Sequence, residues 1–273
     1  MITIAVLSQK GGVGKTLTAV NVAASLSDRG LRVLMVDFDP QADLSASWRI
    51  EDEDRRPRIE HVLMDQIEVD EVRVEMGREH AGASLTLVPT AYEQLRQQTA
   101  RLLGGDGREL ARLLEPLRVE LDVAIIDTPA GDTVFGRQAM VAADAAIVPM
   151  LPGYHELRAM TRALDVIETR SIEERTRLRL LGVLMTNADS RWRSTKEYMR
   201  HLGTMSEADE LALFDTVIPR HQPVTEHARF GLPTVWLRPM SSVAVAYRQL
   251  AGEVHARLDL LATDCAAATL PRV

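Results

Sequence analysis

A glycine-rich loop near the start of the chain combines residue types that bind phosphate. The loop and the residue after it read Gln9-Lys10-Gly11-Gly12-Val13-Gly14-Lys15-Thr16-Leu17, between an apolar run and a helical pattern. Glycines let backbone amides turn inward toward an anion, and the helix that follows adds its positive N-terminal end. Lys15 is placed to reach the β- and γ-phosphates of a nucleotide, and the Thr16 hydroxyl to ligate Mg²⁺. The loop therefore predicts a site for a nucleoside triphosphate with magnesium.

Lys10 distinguishes this loop from the standard pattern G-x-x-x-x-G-K-[ST]. Position 9 is Gln where that pattern has Gly, and the extra lysine lies in the first half of the loop. The chain has only three lysines, namely Lys10, Lys15 and Lys196, so two of them in one loop is a concentrated placement. From the residues alone, Lys10 is either a second phosphate ligand or an incidental surface lysine.

Carboxylates end two later apolar runs. Asp37 and Asp39 lie in Val-Asp-Phe-Asp-Pro-Gln, where Pro40 stops the run, and Asp127 ends the run Val123–Asp127. Carboxylates at the carboxyl ends of strands beside a phosphate loop face the ligand crevice. We expect Asp127 to hold Mg²⁺ directly or through water. Asp37 and Asp39 are either partners in that site or ordinary turn residues.

Short apolar runs and helical patterns alternate along the whole chain. Continuous apolar runs are typical of strands covered on both faces, and the alternation predicts right-handed βαβ units in a doubly wound, mostly parallel α/β sheet. The predicted strands are Thr3–Ser8, Arg32–Asp37, Leu85–Val88, Val123–Asp127, Ala145–Met150, Leu180–Thr186 and Phe214–Ile218. The predicted helices are Lys15–Arg29, Tyr92–Leu103, Arg108–Arg118, His155–Ile172 and Ser241–Leu261.

No linker rich in Pro, Gly or Ser divides the chain, which predicts a single nucleotide-binding domain over residues 1–262 and a flexible tail over 263–273. An acidic segment around 51–80 interrupts the alternation. Between Glu51 and Glu79 it holds eleven acids and five arginines, and it also contains apolar residues. We interpret it as a surface subdomain or helical insertion.

Composition excludes several classes of protein. The single cysteine, Cys265, rules out a disulfide scaffold, a four-cysteine zinc site and an iron–sulfur cluster held by one chain, and it fits a reducing cytoplasm. No apolar run approaches the roughly 18–20 residues of a membrane span. The net charge of −7 argues mildly against nucleic acid as a partner, but the acidic segment supplies −6 of it.

Taken together, these motifs resemble the deviant Walker A loop of the ParA/MinD superfamily of P-loop ATPases, and the chain is most similar to ParA/Soj-type DNA-partition ATPases. The resemblance implies that Lys10 reaches across a nucleotide-sandwich homodimer to the partner's phosphates. It also implies that Asp39 orients or activates the attacking water and that Asp37 supports the magnesium shell. Ala130 stands where the family usually has a second proline after its Walker B strand.

The resemblance also places adenine and DNA contacts. Val-Ile-Pro-Arg resembles the family's segment near adenine, which assigns Pro219 and Arg220 to nucleotide binding. Asn187 either reads the adenine edge or is a turn residue. Matched by position, Arg191 and Arg220 contact DNA phosphates; the alternative is a solvated charged face.

The implied function is a slow, partner-stimulated ATPase that binds nonspecific DNA and acts with a ParB-type partner in partition of plasmid or chromosome DNA. We expect a cytoplasmic, nucleoid-associated protein without a membrane partner. Sequence-specific operator binding is not expected, because the phosphate loop begins within ten residues of Met1 and leaves no room for an N-terminal helix-turn-helix domain.

Three alternatives remain: a MinD-like membrane-associated regulator, a ParA-like ATPase that positions a protein cargo, and a metabolic enzyme. A MinD-like membrane anchor needs a basic amphipathic helix at the C-terminal end, and this end carries only one basic residue. A redox relative of the nitrogenase iron protein needs cysteines that hold an iron–sulfur cluster, and the single cysteine of this chain, Cys265, lies near its terminus. A dethiobiotin-synthetase-like ligase would leave Lys10 without a role.

Overall fold

A seven-stranded sheet forms the centre of the computed structural model, which describes residues 1–50, 56–77, 82–174, 176, 178–189, 193–207, 211–220 and 230–268. The strands are β1 Ile2–Val6, β2 Arg32–Asp37, β3 Val74–Glu75, β4 Ser84–Val88, β5 Val123–Asp127, β6 Ala145–Met150 and β7 Arg179–Met185. Their order across the sheet is β3-β4-β2-β5-β1-β6-β7, and every neighbouring pair is parallel except β3–β4. The predicted doubly wound, mostly parallel sheet is confirmed.

Helices cover both faces of this sheet. Their bounds are Lys15–Ser27, Asp43–Ser47, Ile59–Leu63, Gln94–Gln97, Thr99–Gly104, Glu109–Leu114, Val134–Ala142, Tyr154–Glu173, Arg193–Glu207, Thr234–Leu237 and Ser242–Ala268. Alternate residues of β1 enter two separate apolar cores: Ile4 and Val6 pack into one and Ala5 into the other. A strand that buries both of its faces needs no polar alternation, which explains the continuous apolar runs in the sequence.

The predicted strand Phe214–Ile218 is wrong. Among the described residues, only isolated bridges form near it, Val183 with Leu213 and Ala188 with Pro219, although the Phe214 and Ile218 amides still donate to carbonyls of β7. The amides of Asp215 and Thr216 donate to the carboxylate of Glu253, both at 2.8 Å, and so do not form a ladder with β7. A side chain of the C-terminal helix thus replaces the backbone acceptors that a strand would require.

Two predicted helices are shorter than their patterns suggest. The helix predicted over 92–103 is split at Gln98 into Gln94–Gln97 and Thr99–Gly104. The helix predicted over 108–118 ends at Leu114 and continues as a 3₁₀ turn, Glu115–Val119. Pro116 in the first turn of that element has no N–H to donate to an α-helical hydrogen bond, which accounts for the change.

The C-terminal helix is longer than predicted. It runs from Ser242 to Ala268 and covers the first part of the segment expected to be a flexible tail, while residues 269–273 lie outside the described residues. Within the described ranges, no helix is long and apolar enough to cross a bilayer.

The acidic segment is partly helical, as expected, and it also contributes a strand. Helix Ile59–Leu63 and a 3₁₀ turn, Val69–Glu71, precede β3, which pairs antiparallel with β4 at the edge of the sheet. With two residues, β3 is too short to produce a periodic signal in the sequence.

Candidate functional site

The phosphate loop, the end of β2 and the end of β5 meet at one cleft of about 1080 Å³. The loop contributes Gly11, Gly12, Gly14, Lys15, Thr16 and Leu17 to its lining, and the residues after β2 contribute Asp39, Pro40, Gln41 and Asp43. Residues after β5, and the helices Gln94–Gln97, Thr99–Gly104 and Val134–Ala142, complete the walls. Three motifs that are far apart in sequence therefore converge where a doubly wound sheet binds its ligands.

The phosphate loop has the backbone conformation that its glycines permit. Gly12 and Gly14 have φ values of +75° and +88°, in the left-handed region that favours glycine. Gly14 is also the N-cap of helix Lys15–Ser27, so the helix begins directly at the loop. The Thr186 hydroxyl, just after β7, donates to the Val13 carbonyl at 2.7 Å and ties the loop to the sheet. The result is a preformed anion site at a helix N-terminus.

The two lysines of the loop occupy different environments. Lys15 is buried and lines the cleft. The side chain of Lys10 is 47% exposed, and its Nζ forms an ion pair with Glu156 Oε1 at 2.5 Å. Lys15 is therefore positioned for a ligand in its own cleft, whereas Lys10 lies at the surface beside helix Tyr154–Glu173.

Asp127 and Thr16 form an oxygen-rich pair that fits a hard divalent cation. The Thr16 hydroxyl donates to Asp127 Oδ2 at 2.6 Å, and Asp127 is fully buried. The second oxygen, Oδ1, has no hydrogen-bond partner in the described part of the chain. Burial raises the pKa of Asp127 to about 7, against the opposing effects of the Thr16 hydrogen bond and the charge of Lys15. A buried, unsatisfied carboxylate oxygen next to a hydroxyl is suited to Mg²⁺, which prefers oxygen ligands.

We expect Asp127→Asn to stabilise the metal-free protein at about pH 8. Below about pH 4 the Asp127 carboxyl is protonated in both the folded and the unfolded chain. Between about pH 4 and 7 only the folded chain keeps this proton, so the free energy of unfolding falls as the pH rises through this range. Above about pH 7 the folded chain must bury a carboxylate, and the loss of stability is complete. The difference between the folded-state pKa of about 7 and the ordinary value of roughly 3.9 corresponds to a loss of ~4 kcal/mol in the free energy of unfolding, and the substitution removes this loss. Urea unfolding with a chelator present measures the gain. If the free energies of unfolding of the wild type and the variant, plotted against pH, stay parallel from about pH 4 to 8, this account is contradicted.

Asp37 lies beside Asp127 in the sheet and is held by its own chain. The two residues are register partners across β2 and β5. Asp37 Oδ2 accepts from the Ser45 amide at 2.7 Å and from the Ser45 hydroxyl at 2.6 Å. Burial, followed by the charge of Asp127, raises the pKa of Asp37 well above its usual range. Sequence reasoning missed Ser45, because a serine eight residues after Asp37 carries no signal of its own.

Asp39 is a fixed carboxylate in the wall of the cleft. Its Oδ1 accepts from the Gln41 amide at 2.9 Å, and the residue is 8% exposed. Burial raises the pKa of Asp39, and the Gln41 hydrogen bond and the charge of Lys15 partly offset that effect. A partly desolvated carboxylate in the same cleft as Lys15 has the environment of a general base.

The residues predicted for adenine come together beside the loop but do not line the phosphate cleft. Asn187 is exposed, has a φ of +50° and follows Thr186, the residue that holds Val13. Pro219 pairs with Ala188 in an isolated bridge, and the Arg220 amide donates to the Ala188 carbonyl at 2.9 Å. Arg191, predicted with Arg220 for DNA, lies outside the described residues.

Comparison with known proteins agrees with this arrangement. A family model described as an AAA domain matches residues 1–180. The sporulation initiation inhibitor protein Soj of Bacillus subtilis is 31% identical over 93% of this chain and 98% of its own. The chromosome-partitioning ATPase Soj of Thermus thermophilus is 34% identical over 94% and 96%, and the chromosome partitioning protein ParA of Caulobacter vibrioides is 32% identical over 93% and 94%.

Solved structures show the same fold. A crystal structure named cobyrinic acid a,c-diamide synthase from Mycobacterium smegmatis, with bound ATP analogue and magnesium, is 30% identical. Its TM-score is 0.76 over 92% of this chain and 93% of that one. The ATP complex of a Cyanothece McdA variant has a TM-score of 0.78 over 94% and 96% at 21% identity, which establishes the fold alone. Since the family model spans well over half of the chain and Soj and ParA relatives above 30% identity span nearly all of it, the chain belongs to the ParA/MinD family of P-loop ATPases.

Proposed function

We propose that the protein is an ATP-dependent dimerising switch that binds nonspecific DNA and drives partition of plasmid or chromosome DNA with a ParB-type partner. The observation that carries this proposal is the placement of the two loop lysines. Lys15 serves the cleft of its own chain, and Lys10 stands outside that cleft at the surface, held by one partly exposed ion pair. A lysine in this position is available to the nucleotide of a second copy.

ATP with Mg²⁺ is the ligand that the cleft fits. Backbone amides of the loop and Lys15 bind the phosphates, and Thr16 and Asp127 hold the metal, with Asp37 supporting it from the adjoining strand. When bound, Mg²⁺ neutralises negative charge on the β- and γ-phosphates. Asp39 orients the attacking water and accepts its proton, and Lys10 of the second copy adds positive charge in trans, as an arginine finger does elsewhere. Asn187, Pro219 and the main chain of Arg220 lie beside the loop, where they contact the base, and the Arg220 guanidinium is assigned to DNA.

DNA binding follows from dimerisation. Arg191 and Arg220 contact DNA phosphates, and the closed dimer presents each of them twice, so avidity makes retention depend on ATP. Contacts of this kind do not read sequence. The ParB-type partner stimulates hydrolysis, which separates the dimer and releases the DNA, and this cycle places the protein in the cytoplasm on the nucleoid. A switch requires a long-lived ATP state, so turnover of the protein alone is slow.

Retention of long random DNA tests the proposal. With ATP we expect a salt-sensitive complex, and with ADP or no nucleotide at least roughly tenfold weaker binding. The Arg191→Glu/Arg220→Glu double variant should lose retention by a similar factor while still forming the ATP dimer in light scattering. Arg101→Glu is the matched control, because Arg101 is an exposed arginine on helix Thr99–Gly104, paired with Asp65 at 2.6 Å.

The other outcomes of that assay discriminate between the family's branches. ATP-dependent binding to anionic vesicles without DNA retention would assign the membrane-associated, MinD-like function. An ATP-dependent dimer that retains neither DNA nor vesicles would assign positioning of a protein cargo. Full retention by the double variant would locate the DNA surface elsewhere on the chain.

A further inference from the structure

We propose that Glu60 and Thr90 are positioning residues for Asp37, so that the acidic segment supports the magnesium side of the nucleotide site. The inference rests on the proposed placement of Asp37 beside the metal. It assigns a role to the acidic segment, which the sequence predicts to be a surface subdomain or helical insertion. Five buried residues, all outside the phosphate loop, form the connection: Asp37, Ser45, Arg58, Glu60 and Thr90.

Thr90, which follows β4, is held by the acidic segment at two points. Its carbonyl accepts from Arg58 Nη1 at 2.7 Å. Its hydroxyl donates to Glu60 Oε1, and the same oxygen accepts from the Ala91 amide at 2.8 Å. The backbone of the segment docks here as well, since the Ile59 amide donates to the Pro89 carbonyl at 3.0 Å. These contacts fix both the backbone and the side chain of Thr90.

The third polar group of Thr90, its amide, passes this restraint to the site. The Thr90 amide donates to Ser45 Oγ at 3.0 Å. Ser45 Oγ in turn donates to Asp37 Oδ2 at 2.6 Å, and the Ser45 amide donates to the same oxygen. Because the hydroxyl of Ser45 has one proton, an amide that occupies its acceptor side directs that proton toward Asp37. The orientation of the Asp37 carboxyl is thus set by Thr90 through Ser45.

The burial of Arg58 and Glu60 indicates that this connection is more than a surface contact. Arg58 is 2% exposed and Glu60 is 1% exposed. A charge inside a protein is costly unless hydrogen bonds satisfy it. Arg58 Nη1 and Glu60 Oε1 both bond to Thr90, and Oε1 also bonds to the next amide along the chain, whereas Glu60 Oε2 has no hydrogen-bond partner among the described residues. Apolar neighbours already anchor the segment, because Ile59 and Leu63 pack into the core. Apolar packing therefore already holds the segment on the core, and the hydrogen bonds fix its position relative to Thr90.

Thr90→Val tests the inference, because it removes the hydroxyl and nearly keeps the shape. The readout is Mg²⁺ affinity of the ADP-bound protein, measured from the Mg²⁺ dependence of its thermal unfolding, together with hydrogen exchange of the Ser45 amide without metal. We expect Mg²⁺ affinity to fall about fivefold or more and Ser45 exchange to accelerate, with ADP affinity in the absence of Mg²⁺ within about twofold of wild type. Thr90→Ser, which keeps the hydroxyl, should restore both properties.

Thr86→Val is the matched control. Thr86 is a buried threonine on β4 whose hydroxyl donates to the Val33 carbonyl at 3.4 Å and does not reach Ser45. If Thr90→Val does not fold, Ser45→Ala interrupts the same connection at its other end and should weaken Mg²⁺ affinity equally. Equal Mg²⁺ affinity in Thr90→Val and Thr86→Val, or a Thr90→Ser variant that does not recover the wild-type affinity, would overturn the role of Thr90 and leave the metal site itself unchallenged. A wild-type protein whose unfolding does not respond to Mg²⁺ would overturn the metal assignment together with it.

Discussion

Lys10→Ala should abolish the ATP-dependent dimer while the monomer still binds nucleotide. The proposed closed dimer contains two copies of Lys10, one at each triphosphate, and a hydrogen bond to a charged group contributes about 1.5–3 kcal/mol. Losing both weakens association by ~3–6 kcal/mol, or roughly two to four orders of magnitude in Kd. Lys15, the proposed phosphate ligand within the chain, is unaffected. Light scattering with ATP and Mg²⁺ measures the dimer, and a fluorescent nucleotide measures binding.

The contact that Lys10 makes in a single chain does not obscure this result. The Lys10–Glu156 ion pair is partly exposed, and pairs of that kind contribute about 0–1 kcal/mol to stability, so the variant should fold normally. Lys196→Ala is a suitable control, because it removes the one lysine outside the loop, which is exposed on helix Arg193–Glu207. An undiminished ATP dimer in Lys10→Ala would remove the trans role of this lysine and, with it, the proposed switch.

The phosphate site was predictable because its chemistry is local in sequence. A glycine-rich turn, a lysine and a hydroxyl must follow one another between a strand and a helix, so Gly14, Lys15 and Thr16 are recognisable without any tertiary information. Asp127 could be added because a carboxylate that ends a buried strand can reach the same crevice. The structure confirms that meeting through the hydrogen bond between Thr16 and Asp127.

What the sequence could not predict depends on contacts between distant positions. Residues 214–218 have the apolar character of a strand, yet Glu253, 37 and 38 residues further along the chain, takes the amides that the sheet would need. No local sequence pattern indicates that the Glu253 carboxylate will compete with the sheet for these amides. β3 presents a similar difficulty, since its two residues become a strand only because β4 lies beside them.

The support of the site was invisible for the same reason. Ser45, Glu60 and Thr90 are common residue types at spacings that form no motif, and only the folded chain brings them to Asp37. The acidic composition around Glu60 predicts a surface subdomain or helical insertion and gives no sign that Glu60 itself is buried. Residues that contact a ligand must have particular chemistry, but residues that position them need only a hydrogen bond of the right geometry, which many types provide.

Asp39→Ala should stop hydrolysis and trap the ATP-bound dimer. A positioned general base contributes about 10²–10⁴-fold to a rate, so we expect steady-state phosphate release to fall at least roughly 100-fold. Asp39 lines the cleft without bonding to Lys15, Thr16 or Asp127 among the hydrogen bonds of the described residues, so ATP binding and dimerisation should persist. The variant should therefore retain DNA with ATP for longer than wild type does.

The pH dependence of turnover offers a second measure of the same residue. A base must be ionised to accept a proton, and burial raises the pKa of Asp39 above its usual value. Wild-type turnover should consequently fall on acidification at a higher pH than an ordinary aspartate would give, and the residual rate of Asp39→Ala should lack that step. Asp43→Asn provides the control, since Asp43 is an exposed carboxylate in the same cleft and should keep turnover within about threefold. Equal losses in the two variants would mean that the cleft requires negative charge in general, and Asp39 would no longer be the residue that activates water.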